Sequence, residues 1–180
     1  MGLPSISLLL PTRGRPELVQ RFLRSIFETT TLIDHVEVVL YIDDDDTVTL
    51  NSDLDSRDFN VKRIIGPTRS MGGYNSVCFE HASGEIIILV NDDIVISTQG
   101  WDDCVRAIDA NFKDKIYLAY PNDLFKKSKF CTFPIISRRT CELLIEPYPL
   151  EYQRFFIDVH LFDVFKRIQH AGFDRICYCN

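Results

Sequence analysis

The side chains with the most evident chemical potential in this 180-residue chain are acids at the ends of apolar runs. Asp43, Asp44, Asp45 and Asp46 follow directly on VEVVLYI, and Asn91, Asp92 and Asp93 follow on EIIILV. Carboxylates packed this closely repel one another by roughly 1–4 kcal/mol per pair at the effective dielectric of a protein surface, and a cation removes that cost. Oxygen ligands select a hard divalent ion, Mn²⁺ or Mg²⁺, which takes one or two carboxylates from a protein and completes its shell with water and phosphate oxygens. Paired acids therefore point to a bound diphosphate. Asp and Asn also favour turns and helix caps in their own right, but two clusters, each abutting a strongly apolar run, weigh toward a ligand site.

The elements that must position these acids alternate in type. SISLLL (5–10) reads as a strand cut off by the turn-rich PTRGRP, and PELVQRFLRSIFETT follows with Leu18, Val19, Phe22, Leu23, Ile26 and Phe27 at helical spacing. Pro16 suits a first helical position. Further strands are expected at 36–42, 61–65 and 86–90, a helix in GGYNSVCFEHA, another in WDDCVRAIDANF, and a fifth strand in KIYLAY. This alternation predicts an α/β fold, a three-layer, Rossmann-like sandwich around a mainly parallel sheet. Ligands of such sheets sit beyond the carboxyl ends of the strands where strand order reverses, so both acidic clusters are expected to face one crevice. Beyond residue 120 the pattern loosens into a Lys-rich loop NDLFKKSKF, a short run CTFPII, a helix SRRTCELLI, a helix from about 158 to 171 and a last strand RICYC. Without repeat or linker, residues 1–180 are expected to form a single domain.

Composition narrows the function classes. A chain 46% apolar and 26% charged has the make-up of one compact domain, burying roughly two-thirds of its unfolded surface. Twenty basic against 26 acidic residues give a net charge of −6, which disfavours a nucleic-acid partner. ISLLL ends at Pro11, too short for a transmembrane segment or a signal-peptide core. The six cysteines contain no C-x-x-C pair and read as reduced thiols, so a cytoplasmic location is expected.

The stretches SLLLPTRGRPELVQRFLRSI, VVLYIDDDD, RSMGGYNSVCFEHASGEIIILVNDD and STQGWDD resemble, in order and spacing, the GT-A fold glycosyltransferases of the family 2 type. The resemblance is close over 5–105 and looser beyond. It implies a nucleotide-sugar-binding half over 1–105 and an acceptor half over 106–180. Pro11 and Thr12, with Arg13, would border the nucleotide; Asp43 and Asp44 would contact base or ribose; and the segment from Arg69 to Asn75 would close over the nucleotide. Arg69 would stack on the base or reach a phosphate. The family's D-x-D motif falls on Asn91, Asp92 and Asp93, making Asp93 the metal ligand and Asp92 the ribose contact, with Asn91 a departure that leaves fewer protein ligands. Trp101 reads either as a wall of the acceptor pocket or as packing between helix and sheet.

Inverting members of that family use a carboxylate from the second half as general base, usually in a Glu-Asp pair before a helix with an Arg downstream. FFIDVHLFDVFKRIQHAGF offers Asp158 for the Asp, Ile157 in place of the Glu, and Arg167 downstream. Asp163 is a second candidate if the helix is aligned from Gly172. Asp158 is preferred because a residue at a helix start can point from its end into a site; its plain structural role would be a cap. His160 and the lysines 126, 127 and 129 have ordinary structural readings and are left outside the site. The expected activity is sugar transfer from a nucleoside-diphosphate donor to an acceptor hydroxyl on a glycan, lipid or protein, metal-dependent and inverting. The alternatives are a non-catalytic nucleotide-sugar-binding module and a Mg²⁺-binding receiver-like phosphoacceptor. The latter is disfavoured because its acids belong after the first strand, where this chain has PTRGRP.

Overall fold

The computed structural model describes residues 2–54, 60–154 and 156–179. Among the described residues, seven strands form one sheet: β1 (Ile6–Thr12), β2 (Val36–Asp43), β3 (Asn60–Gly66), β4 (Ile86–Leu89), β5 (Leu118–Pro121), β6 (Ile135–Ser137) and β7 (Ile176–Cys179). Their order is β3-β2-β1-β4-β6-β5-β7. Only β6 runs against its neighbours β4 and β5; the other pairings are parallel.

The apolar runs become strands because both faces of the sheet are covered. Leu8, Leu10, Val38, Leu40, Ile86 and Ile88 pack on one side, and Leu9, Val39, Tyr41, Ile87 and Leu89 on the other, as the two-residue period of a strand requires. The first face carries α1 (Pro16–Thr29), through Val19, Phe22, Leu23 and Ile26. On the chain goes through the short α2 (Thr47–Leu50) to α3 (Met71–His81), and later to α4 (Trp101–Asn111), α5 (Arg138–Leu143) and α6 (Ile157–His170). α4 joins α1 through Trp101 and Val105, while α3, α5 and α6 cover the opposite face through Cys78, Cys141, Leu161 and Phe165. The result is the expected three-layer α/β sandwich.

Trp101 takes the packing role: it is buried, and its Nε1 donates to Thr30 Oγ1 at 3.0 Å. Neighbouring Asp102, fully buried, accepts from the backbone nitrogens of Thr31 and Leu32 at 2.9 and 3.0 Å and from Arg106 at 2.6 Å, tying α4 to the end of α1. No described helix is long and apolar enough to cross a membrane.

β1, with β2 on one side and β4 on the other, stands at the point where strand order reverses. Thr12, Asp43 and the residues after Leu89 therefore leave the sheet at one edge. Two reversals of direction through β6 bring the carboxyl end of β5 to the same edge.

Candidate active site

Four consecutive residues, from Thr12 at the end of β1 into the loop that follows, each reach an acid. Thr12 donates its hydroxyl to Asp92 Oδ2 at 2.6 Å. Arg13 donates to Asp43 and, through both terminal nitrogens, to Asp45 at 2.6 and 2.8 Å. The backbone of Gly14, in the left-handed region at φ 66°, donates to Asp46 Oδ2 at 2.7 Å, and Arg15 Nη2 lies 2.8 Å from Asp92 Oδ1. The PTRGRP turn is thus the tie between the two acidic clusters.

The four acids that end and follow β2 divide in role. Asp43 is fully buried and also accepts from Tyr74 at 2.7 Å and Thr68 at 3.1 Å. Burial, then the bond to Asp43, pushes the Tyr74 hydroxyl upward. Asp44 and Asp45 are exposed, and Arg13 holds the Asp45 carboxyl below its usual range. Asp46 caps α2, accepting from Thr49 N at 3.2 Å. Burial alone would raise its carboxyl, but the bonds from Thr49 and Gly14 outweigh that and leave it lowered.

Asp92 is also fully buried. Burial raises its carboxyl above the usual range despite Thr12 and Arg15, and the Asp93 charge adds to the rise. Arg15 is within ion-pair distance of Oδ1 but out of line for a hydrogen bond, so Oδ1 feels the charge while receiving no directed donor. Asp93 is exposed; its backbone carbonyl accepts from Arg21 at 2.9 Å, and its carboxylate makes no hydrogen bond or ion pair among the described residues. No group of three or more His, Cys, Asp or Glu among the described residues is arranged to hold a metal alone. One open carboxylate beside a buried one with an undonated oxygen fits a hard ion that draws the rest of its shell from phosphate and water.

At this edge lies a cleft of about 340 Å³, lined among others by Pro11, Asn75, Asn91, Thr132, Phe156 and Asp158, within the range of small-molecule sites. Asp158 is half-buried in the first turn of α6. It is not the cap: that position belongs to Phe156, whose backbone is left-handed at φ 83° and whose side chain caps nothing. The Asp158 carboxylate accepts from Val159 N at 2.9 Å, and burial raises its pKa against that bond. Asp163 is exposed and paired with Arg167 at 2.8 Å on the outer side of the helix. His160 Nδ1 is 3.3 Å from the Tyr152 hydroxyl.

The start of α6 is fixed from the other half of the chain. Met71 N and Gly72 N, in the first turn of α3 where amides lack helical partners, donate to the carbonyls of Gln153 and Tyr152 at 2.9 and 3.2 Å. Gly72 permits this because a side chain there would overlap the Pro149 carbonyl. Asn75 turns its Nδ2 onto Met71 O at 2.9 Å. Arg69 lies apart: its Nε donates to Tyr41 at 3.1 Å, and it lines a second groove of about 600 Å³ with Glu80 and Glu142. The structure therefore brings Pro11, Asn75 and Asp158 to one cleft with Asn91. It joins Thr12 to Asp92 and Arg13 to Asp43 at the adjoining strand ends, and leaves Arg69 and Asp163 elsewhere. Sequence reasoning missed Arg15 and Thr68 and took Tyr74 only as part of the segment 69–75; the available signal was the second arginine of PTRGRP, a cation beside an acid-rich edge.

A three-layer sandwich with acids at the carboxyl ends of β2 and β4, beside the strand-order reversal, matches the GT-A class of fold. Residues 7–140 match Glycosyl transferase family 2, and the chain belongs to that family. Among solved structures, the mannosyltransferase PcManGT from Pyrobaculum calidifontis, in complex with GDP-Man and Mn²⁺, superposes with a TM-score of 0.70 at 16% identity, covering 99% of this chain and 57% of that one. S. aureus TarS 1–349 in complex with UDP-GlcNAc gives a TM-score of 0.56 at 18% identity, covering 66% of this chain and 34% of that one. The chain thus spans less than two-thirds of the length of either. No curated protein matches the sequence.

Proposed function

We propose that the protein is a metal-dependent, inverting glycosyltransferase that moves a sugar from a nucleoside-diphosphate donor to an acceptor hydroxyl. The observation that carries this reading is the cleft itself, which Asp158, a half-buried carboxylate with a raised pKa, lines together with Asn91 and Pro11 at the strand-order reversal. Family membership supports the reaction class, and the two similar structures, bound to GDP-Man and UDP-GlcNAc, support the donor class.

In this reading the halves 1–105 and 106–180 divide donor from acceptor. Pro11, Thr12, Asn75 and Asp92 hold the nucleoside, with Asp43 and Asp44 at the neighbouring strand end. Arg13 is now bound to Asp43 and Asp45, and its contact with donor requires that it leave them or share them. Arg69, held by Tyr41, reaches the donor only by turning away from its present groove. Asp93, with its open carboxylate, holds Mn²⁺ or Mg²⁺, which would supply charge neutralisation to the leaving diphosphate. Asp158 accepts the acceptor's hydroxyl proton as that oxygen forms its bond to the anomeric carbon. The bond from carbon to diphosphate oxygen breaks, and its electron pair leaves with the nucleoside diphosphate. A raised pKa makes Asp158 a stronger base than an exposed carboxylate, provided the pH is high enough to ionise it.

A thermal-shift screen of nucleotide sugars with and without Mn²⁺ tests donor binding. At a hundred times its dissociation constant a ligand adds about 2.7 kcal/mol of stability. The expected result is a metal-dependent shift for one donor that Asp93→Asn removes; no shift with any donor would reject the donor site.

A further inference from the structure

The loop between β5 and β6 carries a feature that sugar transfer does not use. Leu124 and Phe125 are 77% and 81% exposed. Large apolar side chains in solvent are ordinary on a slack loop, but this one is tightly built. Asp123 Oδ1 accepts from the backbone nitrogens of Phe125, Lys126 and Lys127 at 3.0, 2.7 and 2.8 Å, and its Oδ2 accepts from Thr132 at 2.7 Å. Tyr120 donates to Ser128 O at 2.8 Å, and Phe130 packs edge-on against Phe162 of α6. Leu124 and Lys127 stand in the left-handed region at φ 61° and 53°, a conformation that is unfavourable for residues with a side chain. The hydrogen bonds outweigh that strain and fix a turn whose two apolar side chains stand in solvent.

Around this tip are Lys126, Lys127 and Lys129, with Lys126 Nζ 4.8 Å from the Phe125 ring centre. The only acid between 122 and 130 is Asp123, whose carboxylate is consumed by the loop. In a chain of net charge −6 this is a local excess of cations around an apolar tip. The loop springs from the sheet edge that carries the cleft, and Phe130 and Thr132 line both. The exposed Phe156 and Val159 lie on the cleft's rim at the start of α6.

Apolar side chains collared by lysines match an anionic bilayer: the rings and branched chains enter the acyl boundary while the ammonium groups remain among the headgroups. A solvated loop accounts for the lysines but not for Leu124 and Phe125. The acidic remainder of the molecule is repelled by the same surface, so this loop also dictates which side of the protein faces it. We propose that the 122–130 loop is a docking surface for an anionic lipid bilayer, with Leu124 and Phe125 inserted and Lys126, Lys127 and Lys129 against the headgroups. Its validity does not depend on the glycosyltransferase reading.

Co-sedimentation of the full chain with phosphatidylcholine vesicles, with and without phosphatidylserine, tests the proposal. Binding is expected only with phosphatidylserine, weakening with salt, and falling about fivefold for each lysine replaced by Ala, as roughly 1 kcal/mol per cation at a membrane surface converts. The double variant Leu124→Ser, Phe125→Ser should lose most binding while keeping the wild-type melting temperature. In Phe125→Trp, the emission of the introduced indole should shift to the blue on vesicle addition. Failure to sediment with phosphatidylserine vesicles at low salt overturns the proposal. So does undiminished binding of the double serine variant, or capture by an acidic polypeptide with no blue shift on vesicles, which would make the loop a protein-docking surface.

Discussion

Thr12→Val removes the hydrogen bond by which β1 holds the buried acid of β4, with almost no change of shape. Thr12 is 6% exposed, Asp92 is fully buried, and the bond measures 2.6 Å. A hydrogen bond to a charged group contributes roughly 1.5–3 kcal/mol, and an isosteric replacement leaves the buried partner unsatisfied. Because Asp92 Oδ1 also lacks a directed donor, the carboxylate would retain only the screened charge of half-exposed Arg15. The expected loss is therefore about 2–3 kcal/mol of unfolding free energy at neutral pH. At about 2–4 °C per kcal/mol for a domain of this size, the melting temperature falls by roughly 4–12 °C. The pH dependence has a definite sign. Burial places the folded pKa of Asp92 above its unfolded value, so its ionised form costs stability above the folded pKa and nothing below the unfolded one. Losing Thr12 enlarges that cost, so the gap between variant and wild type should narrow as pH falls through the folded pKa. Urea unfolding followed by circular dichroism at neutral and mildly acidic pH measures both quantities. A loss under about 0.5 kcal/mol, or a gap independent of pH, would refute the description of Asp92 as a buried ionised carboxylate held by β1.

Other consequences follow from the same contacts. Gly72→Ala gains about 1 kcal/mol of intrinsic helix propensity but collides with the Pro149 carbonyl, so a net destabilisation of roughly 1–3 kcal/mol is expected; a melting temperature at or above wild type would contradict the close docking of 148–153 on α3. Asp158→Asn should leave the fold at least as stable at neutral pH, because burial raises the Asp158 pKa and its charge opposes folding above that pKa. Equal urea midpoints at acid pH, with no deficit at neutral pH, would bear this out, and a clear neutral-pH deficit would not. The rate of sugar transfer should fall on the acid side with an apparent pKa above that of a free aspartate, about 3.9, and a limb at or below that value would count against Asp158 as base.

Much of the fold is legible in the sequence because strand and helix periods are clean where one face meets a core. The run 86–90 and the stripe Val19, Phe22, Leu23 and Ile26 are examples. β6 is not legible as an antiparallel insertion: only Ile135–Ser137 pair, and CTFPII carries no signal of direction. The acids at the strand ends could be read as a convergent site, since composition and position suffice for that. Their inner partners could not, because the hydrogen bonds of Asp43 to Tyr74 and Thr68 link residues 25 or more positions apart. A capping role for Asp158 failed for a local reason: Phe156 takes the left-handed turn one step before the helix. The place of Arg69 also depends on tertiary contact, since Tyr41 draws it to the outer groove.

Release of nucleoside diphosphate from a nucleotide sugar, measured with Mn²⁺ for the wild type and Asp158→Asn beside donor binding by calorimetry, tests the central claim most directly. Metal-stimulated release is expected, falling by at least two orders of magnitude in the variant, in the range of lost general-base catalysis, with donor affinity retained. Donor binding with no release from the wild type on any acceptor class, or release unchanged in Asp158→Asn, would contradict it.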